Sequence, residues 1–125
     1  MSEKKPRIVA VDDELEFTDM LKEYFGLRGY EIDTASKAVQ GMELINTKSP
    51  DIVILDLKMP GVSGEEVLGL LKSKHPKAKV IFVTAFDDAG KTRARMLNAG
   101  AYAYLDKPIS SLKDLEEVVN KAYKE

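Results

Sequence analysis

Asp51-Ile52-Val53-Ile54-Leu55-Asp56-Leu57-Lys58-Met59-Pro60-Gly61 is the stretch of sequence that decides the fold. Its four consecutive apolar residues, three of them β-branched, are typical of a short strand that is buried on both faces inside a sheet. The proline and glycine that follow favour a turn, because proline presets φ and glycine accepts a positive φ. Asp56 is therefore predicted at the end of a central strand, where open parallel sheets bind ligands. Such a carboxylate is a metal ligand, a nucleophile or an acid that stands in the loop by chance.

Other short apolar runs predict further strands, and patterns typical of amphipathic helices separate them. The predicted strands are Arg7–Val11, Tyr30–Ala35, Ile52–Leu55, Val80–Thr84 and Ala101–Leu105. The second run alternates more than the others and is expected at a half-exposed edge of the sheet. Regular alternation of strands and helices predicts a five-stranded parallel sheet covered by helices on both faces, which is a doubly wound α/β fold.

The helices are predicted from apolar residues at helical spacing and from the capping residues that precede them. The expected N-terminal caps are Ser36, Ser63 with Glu66 as a capping box, Asp87, and Ser111 with Asp114. The expected core-facing positions are Phe17, Met20, Leu21, Tyr24, Ala38, Met42, Ile45, Val67, Leu70, Leu71, Ala94, Leu97, Leu115, Val118, Val119 and Ala122. Gly26 or Gly29 is expected to end the first helix. The fourth helix, Lys91–Ala99, has a thin apolar stripe and is expected to be the most mobile.

Length and composition favour a single soluble domain that spans residues 1–125. Because the sequence contains no cysteine, disulfides and thiolate chemistry are excluded, and this composition fits a reducing compartment. Met1–Pro6 lacks the apolar segment of a signal peptide, and no run approaches the roughly 20 apolar residues of a membrane span. A net charge of -2 gives no basic surface for nucleic acid. We therefore expect a cytoplasmic domain without a nucleic-acid or membrane partner.

Chemically useful residues follow the carboxyl ends of the predicted strands, which meet at one edge of a parallel sheet. They are Asp12, Asp13, Asp56, Thr84 and Lys107. Carboxylates gathered in one place raise one another's pKa unless a cation lies among them. A hard divalent cation, Mg²⁺ above all, is the natural occupant, and it leaves room for water and a phosphate. The lysine and the threonine hydroxyl supply the positive charge and the donor that a phosphoryl group needs.

Each of these residues has a simpler explanation when it is taken alone. Asp12 and Asp13 can merely favour a helix N-terminus. Thr84 can be an ordinary β-branched strand residue, and Lys107 can be a solvated loop lysine. Their joint occurrence at one edge, in register with the strand pattern, favours a site. His75 is the single histidine and is expected on the surface, and without a second histidine or a cysteine neither a zinc site nor a Ser-His-Asp triad is expected.

Several segments, in this order along the chain, resemble the receiver domain of bacterial two-component response regulators. They are Asp12-Asp13, Ile52–Gly61 with Asp56, Val83-Thr84-Ala85, and Tyr104–Pro108 with Lys107. The resemblance covers essentially the whole chain and implies a flavodoxin-like sheet with the strand order 2-1-3-4-5. Ile109 departs from the phenylalanine that is frequent in the family after Lys-Pro, which bears on the subfamily more than on the chemistry.

The resemblance implies a role for each acid. Asp56 resembles the phosphoacceptor, which takes a phosphoryl group from a histidine kinase or a histidine phosphotransfer protein and then loses it again. Asp12 and Asp13 resemble the acid pair that holds Mg²⁺ together with Asp56 and the backbone carbonyl of Lys58. Lys58 and Phe86 stand at positions that the family implies are modulators of phosphoryl hydrolysis. Beyond self-phosphorylation and self-dephosphorylation, no enzyme activity is expected.

The resemblance also implies how phosphorylation is sensed. Thr84 and Lys107 resemble the residues that contact the phosphoryl oxygens. Tyr104 resembles the aromatic residue that turns inward when the threonine moves, so the face made by the fourth helix, fifth strand and fifth helix is the expected switch. A downstream effector or a second copy of the chain would recognise that face. The Lys107–Pro108 peptide bond is expected to be cis.

Other functions on the same fold stay open at this point. A Mg²⁺-dependent phosphohydrolase with an aspartyl-phosphate intermediate carries a second aspartate two positions after its nucleophile, where this chain has Lys58. A nucleotide- or flavin-binding domain needs a glycine-rich first loop, whereas this loop reads Asp12-Asp13-Glu14. A phosphate-independent interaction module would not need the complete set of acids, threonine and lysine.

Overall fold

The computed structural model describes residues 4–125 and contains a five-stranded parallel sheet flanked by helices. The strands are β1 (Ile8–Val11), β2 (Ile32–Ala35), β3 (Ile52–Leu55), β4 (Lys58–Met59), β5 (Val62–Ser63), β6 (Lys79–Thr84) and β7 (Ala103–Asp106). The helices are α1 (Leu15–Leu27), α2 (Ala38–Lys48), α3 (Gly64–Lys74), α4 (Lys91–Asn98) and α5 (Leu112–Lys124). The order across the sheet is β2-β1-β3-β6-β7, and β4 and β5 form a separate antiparallel hairpin.

The predicted doubly wound fold is confirmed, because counting only the sheet strands along the chain gives the order 2-1-3-4-5. The predicted domain boundary and the prediction that Met1–Pro6 is not a signal peptide both involve residues 1–3, which lie outside the described part of the chain. Among the helices that the structure describes, none has both the length and the apolar character needed to cross a membrane.

The central strands are buried because helices cover both faces of the sheet. Successive side chains of a strand point to opposite faces, so the apolar run of β3 supplies two cores. Val53 and Leu55 belong to the cluster under α2, α3 and α4, while Ile52 and Ile54 belong to the cluster under α1 and α5. Burial of each such side chain contributes about 1.5–3 kcal/mol. The edge strand β2 is half-buried, as its alternating sequence predicts.

The register of the sheet brings the ends of its strands to one level. Val11 pairs with Leu55, so the residue that follows each of them emerges at the same height. Thr84 pairs with Asp106 at the ends of β6 and β7. The aspartates, the threonine and the lysine singled out from the sequence therefore reach the same edge through strand pairing.

Two helices present faces that differ in part from the prediction. Met20 is exposed in α1, and Phe25, which the sequence reasoning missed, is fully buried. Leu70 is exposed in α3, and Leu68 is buried instead. Apolar residues three and four positions apart define two neighbouring stripes of a helix. Only the stripe that faces the sheet is buried, and the spacing of apolar residues does not show which stripe that is.

The buried stripe of α4 also differs from the prediction. Ala94 and Leu97 are exposed, while Thr92 and Met96 are buried at a spacing of four residues. The hydroxyl of Thr92 is satisfied locally by a carboxylate, which allows a polar residue to face the core. The stripe is thin, as predicted, and the mobility of α4 stays a prediction.

Some predicted helix boundaries are confirmed. The hydroxyl of Ser63 accepts a hydrogen bond from the N–H of Glu66 at 3.2 Å, and that of Ser111 accepts one from Asp114 at 3.0 Å. After α1 the chain turns at Gly29, whose φ of +86° belongs to the left-handed region that glycine tolerates best. Gly29 rather than Gly26 is therefore the glycine that ends α1.

The caps predicted for α2 and α4 are wrong. The N-cap of α2 is Lys37 instead of Ser36, and it makes no side-chain capping bond. The N-cap of α4 is Gly90, and Asp88 rather than Asp87 bonds the first turn, because its carboxylate accepts from the backbone N–H and the hydroxyl of Thr92 at 2.9 and 2.6 Å. These hydrogen bonds lower the pKa of Asp88.

Gly64 lets α3 begin directly against the end of β3. Its N–H donates to the carbonyl oxygen of Leu57 at 2.7 Å. A Cβ at this position would lie 2.8 Å from the Cα of Leu57 and 2.9 Å from the carbonyl oxygen of Asp56. Because both of these neighbours are backbone atoms, a larger residue can be accommodated only if the chain around Asp56 moves.

We predict that Gly64→Ala destabilises the protein by about 1–3 kcal/mol through this overpacking. Gly69→Ala is the matched control, since it lies in the same helix and a Cβ there meets nothing within 4 Å. Removal of a mid-helix glycine at such a position is expected to be neutral or to stabilise by roughly 0.5–1 kcal/mol. Urea unfolding of both variants measures the difference. Equal stability of the two variants would show that the space around Gly64 is not limiting.

Candidate functional site

The acidic side chains predicted from the sequence lie together at the carboxyl edge of the sheet. One oxygen each from Asp12, Asp13 and Asp56 lies within 4.8 Å of the others. Asp12 is 2% exposed and Asp56 is 8% exposed, whereas Asp13 faces solvent. Strand pairing places the buried acids, because the N–H of Asp12 donates to Ala35 and that of Asp56 donates to Val11.

Lys107 directs its ammonium into this acidic cluster from the loop after β7. Its Nζ lies 2.8 Å from Oδ2 of Asp12, 2.9 Å from Oε1 of Glu14 and 3.8 Å from Oδ2 of Asp56. The first two contacts are hydrogen bonds, and the third is a longer ion pair. The backbone N–H of Lys107 donates to the carbonyl of Thr84 at 2.8 Å, which fixes where the side chain starts. The next peptide bond, to Pro108, is cis, as the family resemblance implies.

Burial and the neighbouring charged groups shift the pKa values of Asp12 and Lys107 in opposite directions. Burial raises the pKa of Asp12 above its ordinary value, although hydrogen bonds from Lys107 and from the N–H of Glu14 oppose the rise. Burial alone would lower the pKa of Lys107, but its hydrogen bonds to Asp12 and Glu14 outweigh that effect and the pKa is raised. Lys107 is therefore charged at neutral pH and acts as an internal counter-ion for the acids.

Thr84 is buried at the end of β6, and Phe86 and Lys58 lie beside each other. Thr84 is 1% exposed, and its hydroxyl accepts a hydrogen bond from the N–H of Phe86 at 3.2 Å. Since the hydroxyl is the acceptor there, its own proton stays available to another oxygen. The Nζ of Lys58 lies 4.6 Å from the centroid of the Phe86 ring, a cation–π distance. The N–H of Lys58 also reaches Oδ1 of Asp56, at 3.4 Å.

Tyr104 already lies inward in this structure. It is 4% exposed, and its hydroxyl donates to the carbonyl of Phe86 at 3.3 Å. From α4, Arg93 donates to the backbone carbonyl of Tyr104 at 2.6 Å and pairs with Asp106 at 3.0 Å. The guanidinium carbon of Arg93 also lies 5.1 Å from the centre of the Tyr104 ring. The contacts of Arg93 thus connect helix α4 to strand β7.

Sequence reasoning missed Glu14 and Arg93 as contributors to this region. Glu14 directly follows the acid pair, so its position along the chain was an available signal. Arg93 carried no comparable signal, because its partners lie on another element, 11 and 13 residues away. His75 is half-buried, and its ring hydrogen-bonds Asn46 at 2.8 Å, away from the sheet edge described above.

The donor set suits a hard cation. Carboxylate oxygens are the ligands that Mg²⁺ and Ca²⁺ prefer, and thiolate and imidazole ligands are not among the clustered residues. One ammonium balances only part of the negative charge of the clustered acids when all of them are ionised. The exposed acid, Asp13, leaves one side of the cluster open to water. The acidic cluster is therefore able to bind a metal ion.

The fold and the site together define a doubly wound α/β domain with a metal-competent acidic edge. Residues 8–120 match the family described as the response regulator receiver domain. The chain belongs to this family and is a receiver domain of two-component response regulators. Domains of this kind in general interact with histidine kinases and effectors.

Similar proteins carry names that agree with this assignment. The response regulator MprA of Mycobacterium leprae is 34% identical over 113 residues, which are 90% of this chain and 47% of the relative. Sporulation initiation phosphotransferase F of Bacillus subtilis is 30% identical over 112 residues, which are 90% of this chain and 86% of the relative. The chain thus spans about half the length of the MprA relative and most of the Bacillus protein.

Solved receiver domains have the same architecture. A receiver domain from Methanospirillum hungatei, described as CheY-like, has a TM-score of 0.84 at 30% identity and covers 97% of this chain and 98% of its own. The receiver domain of a LuxO repressor from Vibrio parahaemolyticus has a TM-score of 0.87 at 28% identity. The match covers 97% of this chain and 92% of the Vibrio chain.

We predict that a divalent cation stabilises the protein and that Asp13→Asn removes this effect. At a Mg²⁺ concentration ten times the dissociation constant, binding to the folded state contributes about 1.4 kcal/mol. Asp13 is exposed, so the substitution is expected to leave the fold intact. The control is Asp19→Asn, another exposed acid near the start of α1. Thermal unfolding with MgCl₂ or with chelator measures the shift in Tm, and an undiminished shift in Asp13→Asn would contradict the assignment.

Proposed function

We propose that this domain accepts a phosphoryl group on Asp56 and so carries a signal from a phosphohistidine donor to a downstream effector. The observation that supports this most is the convergence of Asp12, Asp13, Asp56 and Lys107 at one sheet edge. The chain's membership of the receiver family supports the same conclusion. A nucleophilic carboxylate, acids for a cation and an ammonium for the transferred oxygens are the groups that this reaction needs.

Mg²⁺ is the cation that we propose for the cluster. The carboxylates of Asp12, Asp13 and Asp56 and the backbone carbonyl of Lys58 would hold it. Mg²⁺ takes few protein ligands and keeps several waters, which suits a site with one exposed acid. When bound, it would supply positive charge against the acids and the incoming phosphoryl group. Lys58 pairs with Ser63 in the β4–β5 hairpin, which holds its backbone close to the acids.

Asp56 is the nucleophile in the proposed reaction. One of its carboxylate oxygens attacks the phosphorus of a phosphohistidine. The O–P bond forms as the P–N bond breaks, and the electron pair of the P–N bond stays on the imidazole nitrogen of the donor. Lys107, whose Nζ is 3.8 Å from Oδ2 of Asp56, is near enough to bind an oxygen of the transferred group. Thr84 can donate its free hydroxyl proton to another.

The switch that we propose runs from Thr84 to Tyr104. The hydroxyl of Thr84 accepts from the N–H of Phe86, and the carbonyl of Phe86 accepts from the hydroxyl of Tyr104. Movement of Thr84 towards a phosphoryl oxygen therefore disturbs the segment that holds Tyr104. Because this ring already lies inward, the change is a readjustment of a buried ring. The face of α4, β7 and α5 would respond, and a partner that binds one state better would read it.

The proposed chemistry is confined to gain and loss of the phosphoryl group on Asp56. An aspartyl-phosphate phosphohydrolase would need an acid two positions later, and Lys58 stands there. The upstream partner is a histidine kinase or a histidine phosphotransfer protein. The downstream partner is an effector or a second copy of this chain that recognises the phosphorylated state.

The central test is labelling of Asp56. We expect radioactive acetyl phosphate to label the wild-type protein when Mg²⁺ is present, because the acids repel an anionic donor until a cation lies among them. Asp56→Asn should abolish labelling, while Asp51→Asn, at the opposite end of β3, should not. Acid and base lability of the label identifies an acyl phosphate. Labelling that persists at full rate in excess chelator would refute the proposed role of the metal.

A further test concerns the lifetime of the phosphoryl group. The ammonium of Lys58, whose backbone N–H reaches Asp56, lies 4.6 Å from the centroid of the Phe86 ring, and we propose that this ring hinders a water molecule that approaches Asp56. Phe86→Ala should shorten the half-life of the label by roughly tenfold, which corresponds to about 1.4 kcal/mol of barrier. Phe86→Leu keeps an apolar side chain of similar reach and should stay close to wild type. Decay is followed with Mg²⁺ saturating, and an unchanged or longer half-life in Phe86→Ala would exclude shielding by this ring.

A further inference from the structure

The ammonium of Lys107 lies where a metal ion would compete with it. It is 2.8 Å from Oδ2 of Asp12 and 3.8 Å from Oδ2 of Asp56, and both acids belong to the cluster that is able to bind a cation. The other oxygen of Asp12 accepts the backbone N–H of Glu14 at 2.9 Å. Each oxygen of Asp12 thus already accepts a hydrogen bond, so a cation at this acid lies beside either a backbone donor or a positive charge.

Lys107 is the group that can give way. The N–H of Glu14 is fixed, because the carbonyl of Glu14 also accepts from Phe17 and Thr18 at the start of α1. A magnesium ion bonds to oxygen at about 2.0–2.1 Å. An ammonium hydrogen-bonded to the same carboxylate would face it at short range, and the repulsion is strong where water is excluded. A cation on Asp12 therefore weakens the bond between Lys107 and this carboxylate.

Glu14 is placed to receive Lys107 when this happens. Its Oε1 already lies 2.9 Å from Nζ of Lys107, and its side chain is 56% exposed, so it can follow the ammonium. Glu14 occupies the N-cap position of α1, yet its side chain makes no capping bond. It also stands outside the group of three acids that lie within reach of one another. Its carboxylate therefore contacts Lys107 without belonging to the acids that would hold the cation.

We propose that Glu14 is a positioning residue that holds the ammonium of Lys107 when a divalent cation takes over Asp12. By drawing the internal positive charge aside, Glu14 makes the cluster easier to load and keeps Lys107 next to Asp56 for the phosphoryl group. This inference rests on the proposed function, because it concerns Mg²⁺ at the same site. It adds a determinant of metal affinity that does not itself bind the metal.

The test is the Mg²⁺ affinity of Glu14→Gln, measured by titrating isotopically labelled protein with MgCl₂ and following the backbone amide signals of Asp13 and Asp56. Without Glu14, Lys107 is left with Asp12 and Asp56 and competes with the metal. The dissociation constant should rise by roughly threefold to fivefold, the range that a half-exposed ion pair supports. Glu16→Gln is the charge-matched control, since it removes an exposed acid of the first turn of α1. It should change the dissociation constant by less than about 1.5-fold, as expected from long-range screening.

Repeating the measurement in a Lys107→Met background separates an effect that acts through Lys107 from the effect of removing any negative charge. In Lys107→Met the competing ammonium is gone, so Glu14→Gln should weaken Mg²⁺ binding no more than Glu16→Gln does. Equal effects of the two glutamate variants in the wild-type background would overturn the inference, and so would an excess effect of Glu14→Gln that persists without Lys107. A wild-type protein that binds no Mg²⁺ at these acids would instead refute the proposed function, and the inference with it. Metal-free Tm values should agree between Glu14→Gln and Glu16→Gln, which excludes a folding defect.

Discussion

The pairing of β1 with β3 is the constraint on which the site depends. Because Val11 lies opposite Leu55, the next residues, Asp12 and Asp56, are forced to emerge side by side. Neither strand can slip, since a shift of one residue would turn every apolar side chain of a doubly buried strand to the wrong core. The apolar packing of β1 and β3 thus holds the two carboxylates next to each other. Lys107, anchored through its backbone to Thr84, is the positive charge that makes this crowding tolerable.

The site is destabilised by the burial of one carboxylate, whereas the packing that stabilises it extends over both faces of the sheet. Burial of Asp12 disfavours its charged form, and only part of that cost is offset by Lys107 and a backbone donor. The apolar clusters on the two faces of the sheet supply the stabilisation that lets such a carboxylate stay in place. The close approach of Gly64 to the backbone at Asp56 belongs to the same arrangement, because it packs α3 against the strand end that carries the acid.

The sequence was sufficient for the sheet, the helix count and the residues of the acidic edge. Their signals are local: apolar runs such as Ile52–Leu55, turn residues, and acids placed at strand ends. Helix faces and caps are less predictable. Residue type points to Ser36 and Asp87 as caps, but the path of the chain places Lys37 and Gly90 at the cap positions, and Asp88 bonds the first turn of α4. The bond between Lys107 and Glu14 spans 93 residues and depends on side-chain rotamers. No local pattern encodes such a contact.

A carboxylate far from the acidic edge has a mechanical consequence. Glu116 of α5 accepts hydrogen bonds from the hydroxyls of Tyr24 and Tyr30 at 2.9 and 2.8 Å, so it ties α5 to α1 and to the start of β2. On the opposite face, α4 is held by a short stripe and by the contacts of Arg93. The face that carries α1 and α5 is therefore braced by carboxylate–tyrosine hydrogen bonds, whereas α4 on the other face is joined to the edge strand β7 through the guanidinium of Arg93.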